Sequence, residues 1–253
     1  MNVSGVKAIY SFEMARARRT LWQSLVAPVI TTSLYFLVFG TAIGSRMSSM
    51  GGVGYGSFIV PGLIMLSVLT QSIFNASFGI YFPKFTGTIY ETLSAPISPL
   101  ETTLAYVGAA VTKAVVLALV TLGTAALLVE VRIDHPLLML ISLIAISTGF
   151  CLLGFVIGIW AKNFEQLQVI PLLVVTPLTF LGGVFYSIGA LGEPWRTVTH
   201  LNPILYLVSG FRWTFFSHAD VPLSASVAVM AGAILLPLGA IVWIFRTGYR
   251  LKQ

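Results

Sequence analysis

Charged residues are scarce in this sequence. Aspartate, glutamate, lysine and arginine together make up 9% of the 253 residues, whereas hydrophobic residues make up 57%. A chain with so few charges cannot cover a globular surface with polar side chains, so the composition excludes a water-soluble enzyme or binding module. The composition instead predicts a protein that is embedded in a lipid bilayer.

Cysteine is nearly absent, and the common catalytic motifs are missing. Cys151 is the single cysteine, so one chain can form neither an internal disulfide nor a cysteine-based metal site. The phosphate-binding motif GxxxxGK[ST] and the zinc motif HExxH do not occur, and the histidines fall between apolar stretches. We therefore expect no catalytic residue, metal or cofactor in this chain. A membrane-embedded enzyme would need clustered acids or histidines, which the sequence does not offer.

Carboxylates are missing from the interiors of the apolar stretches. Ion-driven carriers commonly hold such a group at membrane depth, so this pattern disfavours a self-contained secondary transporter or channel. That alternative stays open because some ion sites use only backbone carbonyls. The acidic residues lie between the stretches or near their ends: Glu13, Glu91, Glu101, Glu130, Asp134, Glu165, Glu193 and Asp220.

The apolar stretches themselves predict an all-α membrane protein. A bilayer core about 30 Å thick requires roughly 20 apolar residues per helix. Six stretches reach this length, and we treat residues 1–253 as a single membrane domain. The predicted spans are residues 25–44, 58–82, 103–129, 137–160, 167–191 and 221–245.

Basic residues predict the orientation of these spans. Six spans place both termini on one side, and most of the lysines and arginines fall on that same side, which favours cytoplasmic termini. The formal net charge of +6 is explained by this bias. The basic residues form no stripe interleaved with aromatics, so we expect no nucleic-acid partner.

Residues 1–24 have the spacing of an amphipathic helix. We expect this helix to lie in the inner membrane interface, where Arg16, Arg18 and Arg19 approach anionic lipid headgroups. A simple extension of the first span into water is the alternative. Lys113 lies inside the third span, and its long side chain can snorkel to the same headgroup level. Contact with a substrate is the second interpretation of Lys113.

Residues 192–216 are too polar for a lipid-exposed span and too aromatic for an ordinary loop. The apolar part, residues 203–211, is nine residues long and ends before Arg212, and a helix of that length cannot cross the bilayer. Asn202 can cap a helix that begins at Pro203. We predict two short helices that form an external re-entrant hairpin.

The second predicted span carries a polar stripe. Ser67, Gln71 and Asn75 recur every fourth residue, so they share one face of a helix. This face lines a substrate path in one interpretation. In the other, the three side chains form hydrogen bonds to neighbouring helices and hold the bundle together.

The connector at residues 83–101, PKFTGTIYETLSAPISPLE, carries polar side chains and prolines between two apolar runs. Pro96 and Pro99 predict the end of a short cytoplasmic helix, which carries apolar residues that need a packing partner. Because the chain lacks a power source, we expect a separate ATPase to dock there. The candidate contacts are Thr86, Ile89, Tyr90, Glu91, Leu93 and Ser94.

Two stretches resemble a known family. The sequence YETLSAPISPLE is followed by a long span, and later by NFEQLQVIPLLVVTPLTFLGGVFYSIGALGEPWRTVTHLNPILYLVSGFRW. Both are similar to the membrane subunit of bacterial ABC-2 type exporters, in particular to the multidrug-type permeases. The resemblance covers nearly the whole chain and is most specific in residues 171–212.

The resemblance implies a function and a set of partners. Residues 86–98 would be a coupling helix, with Glu91 as the main polar contact to a separately encoded ATPase. Two identical permease copies would meet along their first and fifth spans and work with two ATPase copies, which hold ATP and Mg²⁺. The complex would move a hydrophobic, lipid-linked or drug-like substrate outward across the bacterial inner membrane. A structural or assembly subunit remains an alternative.

Overall fold

The computed structural model describes residues 2–41 and 52–249 of the chain. The described residues form helices and contain no strand. The α-helices are α1 (Val3–Arg19), α2 (Leu21–Tyr35), α3 (Tyr55–Thr86), α4 (Ile89–Ser94), α5 (Pro99–Leu128), α6 (Pro136–Trp160), α7 (Phe164–Ile170), α8 (Thr176–Leu181), α9 (Trp195–His200), α10 (Pro203–Phe216) and α11 (Leu223–Thr247). A π-helix at Phe36–Thr41 prolongs α2, and another at Pro171–Val175 joins α7 to α8.

Five of these helical segments are long and apolar enough to cross a membrane. They overlap five of the six predicted spans: Tyr55–Thr86, Pro99–Leu128, Pro136–Trp160, Phe164–Leu181 and Leu223–Thr247. The first predicted span, residues 25–44, corresponds to the shorter apolar helix Leu25–Gly40. Its last residues, 42–44, lie outside the described part of the chain. The six-span layout therefore stays a prediction.

The predicted fifth span is too long. The helix that begins at Phe164 ends at Leu181, and the predicted residues 182–191 leave it. Gly183 has a φ of +81°, a left-handed conformation that glycine adopts without steric cost. This conformation starts a turn that ends in a single 3₁₀ turn at Ile188–Ala190. Apolar composition continues through the turn, so counting apolar residues does not detect the break.

Helix α3 is the centre of the bundle. It packs most extensively against α6 and α5. A Cβ atom added to Gly154 of α6 would lie 2.4 Å from the Ile73 carbonyl oxygen, and one added to Gly158 would lie 2.4 Å from that of Ser77. The two glycines, one turn apart, therefore let the backbones of α6 and α3 approach each other directly, a packing mode typical of membrane helices.

The bundle has two ends that differ in structure. At the α10 end, α3 begins and α5 ends, and Ser57 Oγ donates a 2.7 Å hydrogen bond to the Glu130 carbonyl oxygen. At the α4 end, α3 ends and α5 begins. There the Asn2 backbone N–H donates to Glu101 Oε1 at 2.5 Å, which brings the start of α1 to the start of α5.

The predicted hairpin region contains two short helices, α9 and α10, and the Asn202 side chain caps α10 by accepting a hydrogen bond from the Ile204 N–H. Arg212, which ends the apolar run in the sequence, lies inside α10, because this helix continues to Phe216. In the structure Arg212 is 2% exposed and pairs with Asp220 Oδ2 at 3.0 Å. Its guanidinium lies 4.0 Å from the centroid of the Phe58 ring. Arg212 thus fastens α10 to α3.

Candidate substrate cavity and exposed α4 helix

The short helix α4 is set off by local backbone signals. Gly87 ends α3 with a φ of +79°, which glycine tolerates, and α4 starts two residues later. It ends at Ser94, because Ala95 is extended before a proline. Helix α5 then starts with a capping box, in which Ser98 and Glu101 each accept a hydrogen bond from the other's backbone N–H.

The predicted docking residues on and beside α4 do not share one environment. Tyr90 is 47% exposed and Leu93 is 39% exposed. Ile89 is 5% exposed and packs in a buried cluster with Ile80 and Tyr106. Ile89 therefore anchors α4 to the bundle and offers no surface to a partner. The other candidates are exposed: Thr86, Glu91 and Ser94.

Helix α1 contacts the connector between α4 and α5 and also packs against α5. The Asn2 side-chain amide donates to the Pro96 carbonyl oxygen at 3.2 Å. Ile97 lies so close to Gly5 that a Cβ there would be 2.7 Å from an Ile97 methyl group. Further along, the Tyr10 and Thr112 hydroxyls are 2.9 Å apart. One face of α1 thus packs along the first half of α5.

A charged cluster joins α1 to α5. Glu13 is 2% exposed, and its Oε2 accepts from Arg16 Nη2 at 2.6 Å and from Lys113 Nζ at 3.2 Å. The Arg16 guanidinium also lies 5.1 Å from the centroid of the Phe78 ring on α3. A single carboxylate therefore neutralises part of the charge of two cations, which lowers the cost of burying all three groups.

This cluster corrects two predictions. The helical spacing of residues 1–24 predicts that Glu13 points away from the apolar face of this helix, but its side chain is buried between helices. Lys113 does not merely snorkel towards a headgroup, because its ammonium has a protein counterion. Both corrections have one cause: a lysine in the middle of an apolar helix is stabilised most by a nearby carboxylate, and α1 brings one.

A cavity of about 760 Å³ adjoins this cluster. Gln71 and Asn75 of the predicted polar stripe line it, whereas Ser67 does not. Its walls come from α1, α2, α3, α5 and the helix formed by α7 and α8. The lining residues are Met14, Arg16, Ala17, Arg18, Thr20, Leu21, Leu25, Thr70, Gln71, Phe74, Asn75, Phe78, Lys113, Val116, Leu117, Gln168, Pro171, Leu172 and Thr176.

The predicted interfacial arginines divide between the cavity and the surface. Arg16 and Arg18 line the cavity. Arg19 is exposed and is not part of the lining. Helices α1 and α5 thus bring Arg16, Arg18 and Lys113 to one cavity. The volume of this cavity suits a small organic ligand.

The match to a protein family covers this whole arrangement. Residues 4–216 match the model of the ABC-2 type transporter family. The chain belongs to the ABC-2 type transporter family. The matched residues include α4, α10, the charged cluster and every residue that lines the cavity.

Several curated proteins are similar to this ABC-2 chain. "Inner membrane transport permease YadH" of Escherichia coli (strain K12) is 39% identical over 225 residues, which cover 89% of this chain and 88% of the relative. "Nodulation protein J" of Neorhizobium galegae is 23% identical over 236 residues, which cover 91% and 87%. "Nodulation protein J" of Rhizobium leguminosarum bv. trifolii is 24% identical over 217 residues, which cover 85% and 82%.

The family places the chain among membrane transport permeases, which are generally not catalytic and generally work with an ABC ATPase. The apolar helices and the inner membrane permease relative indicate a multi-pass inner membrane protein. The resemblance of the sequence to ABC-2 type permeases is therefore confirmed at the level of the family.

Sequence reasoning missed part of this site. Glu13, Thr70, Gln168 and Thr176 are at or beside the cavity but were not candidates. A signal for Glu13 was available, because a lysine inside an apolar stretch requires a counterion and Glu13 is the acid nearest the first span. No such signal marks Gln168, since only the packing of α7 against α3 brings its side chain to the cavity that Gln71 also lines.

Proposed function

We propose that this chain is the transmembrane permease subunit of an ATP-driven exporter. Two identical copies work with two copies of a separate ATPase, which holds ATP and Mg²⁺. The complex moves a hydrophobic, lipid-linked or drug-like molecule outward across the inner membrane, and both termini of the permease face the cytoplasm. The chain itself carries no catalytic residue in this proposal.

The observation that carries this proposal is the exposure of α4. Tyr90 and Leu93 present apolar surface at one end of the bundle while Ile89 holds the helix in place. Tyrosine is enriched where proteins meet, since it combines a large apolar ring with a hydrogen-bonding group. Glu91 is exposed beside them and supplies a charge for orientation. Such a surface fits a cleft on an ATPase subunit.

The attachments of α4 support a route from this surface to the cavity. The Pro96 carbonyl oxygen, in the connector after α4, accepts a hydrogen bond from the Asn2 side-chain amide. The Glu101 carboxylate accepts another from the Asn2 backbone N–H. Helix α1 then carries Arg16 and Arg18 to the cavity. A displacement of α4 would therefore reach the cavity wall through this short connector and α1.

Exposed apolar faces support the proposed homodimer. Ile30 and Leu34 of α2 are more than half exposed, as are Leu172 and Leu173 of the π-helix between α7 and α8. These helices correspond to the first and fifth predicted spans. Cysteines introduced at position 173 of two copies should crosslink across such an interface, and no crosslinking in assembled complexes would contradict it.

The proposed docking is tested by a charge placed on α4. Leu93→Asp should abolish stimulation of the ATPase by the permease, because an aspartate in an apolar interface must be desolvated without a partner. Leu201→Asp, the same change at an 82% exposed leucine at the other end, is the control. Both variants should insert normally. Equal stimulation by Leu93→Asp and the control would overturn the assignment of α4.

A second candidate function is a self-contained secondary transporter. The buried pair of Glu13 and Lys113 favours it, because ionisable pairs near membrane-spanning helices occur in proton relays. This candidate predicts gradient-driven uphill uptake into vesicles that contain the permease alone. The exporter proposal predicts no uphill uptake without the ATPase.

A further inference from the structure

The cavity has an excess of positive charge. Arg16, Arg18 and Lys113 line it, and no acidic residue of the described chain is among its lining residues. Glu13, which lies behind the lining, is the one carboxylate that contacts two of these cations. A neutral or cationic ligand would leave this charge uncompensated in a partly enclosed space, whereas an anion would neutralise it.

Hydrogen-bond donors remain available on these cations. Arg16 Nη2 is held by Glu13, and among the described residues neither the buried Arg16 Nη1 nor Glu13 Oε1 has a hydrogen-bond partner. The Lys113 ammonium has three N–H donors, and Glu13 accepts one of them. An oxyanion in the cavity can accept charge-assisted hydrogen bonds from the remaining Lys113 donors, and the charge of the neighbouring Arg16 guanidinium attracts it further.

The remaining walls are apolar or bear amides. Leu21 and Leu25 of α2 line the cavity, as do Val116, Leu117 and Leu172. Gln71, Asn75 and Gln168 add uncharged hydrogen-bonding groups. A cavity of about 760 Å³ accommodates a headgroup and only part of a long acyl chain. The lining thus matches a molecule with one anionic and one apolar part.

We propose that this cavity binds an anionic amphiphile, with a phosphate-type headgroup against Arg16 and Lys113 and an apolar tail along Leu21 and Leu25. Guanidinium groups suit this headgroup because their planar donors pair with two oxygens at once. The proposal rests on the exporter function and specifies the class of its cargo. Glu13 is then the resident competitor, which holds both cations in the empty cavity.

Binding to the full-length permease in phosphatidylcholine nanodiscs tests this proposal. The probe is a fluorescent phosphatidate, and the matched probes are a fluorescent diacylglycerol and a fluorescent phosphatidylcholine. Phosphatidate should bind at least about tenfold more tightly than either, as expected for charge-assisted hydrogen bonds. Equal binding of the three probes would overturn the proposal. Displacement of the probe by equimolar inorganic phosphate would mean that the ligand is free phosphate, and the proposed amphiphile would be wrong.

Three substitutions on α1 locate the headgroup. Arg16→Gln should weaken phosphatidate binding roughly tenfold, because it removes charge-assisted hydrogen bonds. Arg19→Gln removes the same charge three residues away, outside the cavity, and should leave binding unchanged. Glu13→Gln should tighten binding, since it frees both cations. Weaker binding by Glu13→Gln would contradict the proposal, and so would equal losses from Arg16→Gln and Arg19→Gln. These two outcomes are independent, so if one variant folds poorly the other comparison still tests the proposal.

The binding assay needs no ATPase, so it separates this inference from the function on which it rests. Tight phosphatidate binding without ATP-driven export by the assembled complex would refute the exporter and leave the site intact. ATP-driven export of another probe by a complex that binds no phosphatidate would refute the proposed ligand and leave the exporter intact.

Discussion

Both ends of the bundle bury cations, but they surround them differently. At the α10 end, Arg212 has its own carboxylate in Asp220, a backbone acceptor in Gly183 and the ring of Phe58. At the α4 end, Arg16 and Lys113 share the carboxylate of Glu13 and border a cavity. One end pairs its buried guanidinium with a carboxylate of its own, whereas at the other end two cations share one carboxylate beside a cavity.

In the proposal of an anionic ligand, this difference separates a fixed end from a binding end. Asp220 also accepts a hydrogen bond from Ser187, and its backbone N–H donates to Ser209 Oγ, so four segments meet at one ion pair. Burial lowers the pKa of Arg212 to about 10 and Asp220 opposes this shift, so the guanidinium stays protonated at neutral pH. The Arg212–Asp220 pair is tied to neighbouring segments by further hydrogen bonds, whereas the carboxylate of Glu13 is shared by two cations that border a cavity.

The largest expected effect is the loss of Asp220. Asp220→Asn strands the Arg212 charge in a buried site and should cost about 3–5 kcal/mol of stability, as is typical when one partner of a buried pair is removed. The thermal unfolding midpoint of the purified permease measures this loss. The double variant with Arg212→Met should recover part of it. A midpoint within a degree of the parent would show that the α10 end is not fixed by this pair.

The corresponding change at the α4 end should cost less. Glu13→Gln leaves Arg16 and Lys113 beside a cavity, where water can hydrate them, so we expect a loss of about 1–2 kcal/mol. The same unfolding measurement applies. A loss as large as that of Asp220→Asn would remove the distinction between the two ends, since it would show that both pairs are equally structural.

Substitution on α4 should change function without changing stability. Tyr90→Ala removes a half-exposed ring, so stability should change by no more than about 0.5 kcal/mol, as for most surface positions. Stimulation of the ATPase by the permease should fall at least severalfold. Trp195→Ala, at an exposed aromatic residue of the α10 end, is the matched control and should leave stimulation unchanged.

The smallest effect concerns pH at the α10 end. Hydrogen bonds from Arg132 and Ser217 lower the pKa of Asp134. Because this pKa is lower in the folded protein, the ionised carboxylate stabilises the fold at pH values above its unfolded pKa of about 3.9. This stabilisation is lost only as the pH falls through the folded pKa. Asp134 therefore stays ionised between pH 5 and 8, and its contribution to the midpoint should be flat there. A pH-dependent midpoint in this range that Asp134→Asn abolishes would contradict this assignment.

The sequence predicts the apolar helices well because lipid imposes a simple rule. A helix that crosses a bilayer must remain apolar for a fixed length, so α3, α5, α6 and α11 stand out from residue counts alone. Helix α4 is marked by Gly87 before it and by Pro96 after it, which act through the local backbone. Neither rule depends on how distant segments pack.

Charged residues were harder to place because their position depends on distant partners. Arg212 looks like the end of an apolar segment until Asp220 and Gly183 are brought beside it. Glu13 looks like part of a solvated face until α1 packs on α5 and meets Lys113. In both cases a pairing between remote residues overrides the local pattern. Lys113 in an apolar stretch signals that a counterion is needed, but a single sequence does not show how distant segments pack to supply one.

The central claim is that the ATPase transmits its work through α4, and chemical modification at position 90 tests it most directly. Cys151 is fully buried, so a cysteine introduced by Tyr90→Cys is the accessible thiol among the described residues. A bulky maleimide attached there in the permease–ATPase complex should abolish permease-stimulated ATP hydrolysis, whereas labelling of Trp195→Cys should not. Full stimulation after complete labelling at position 90 would contradict the account.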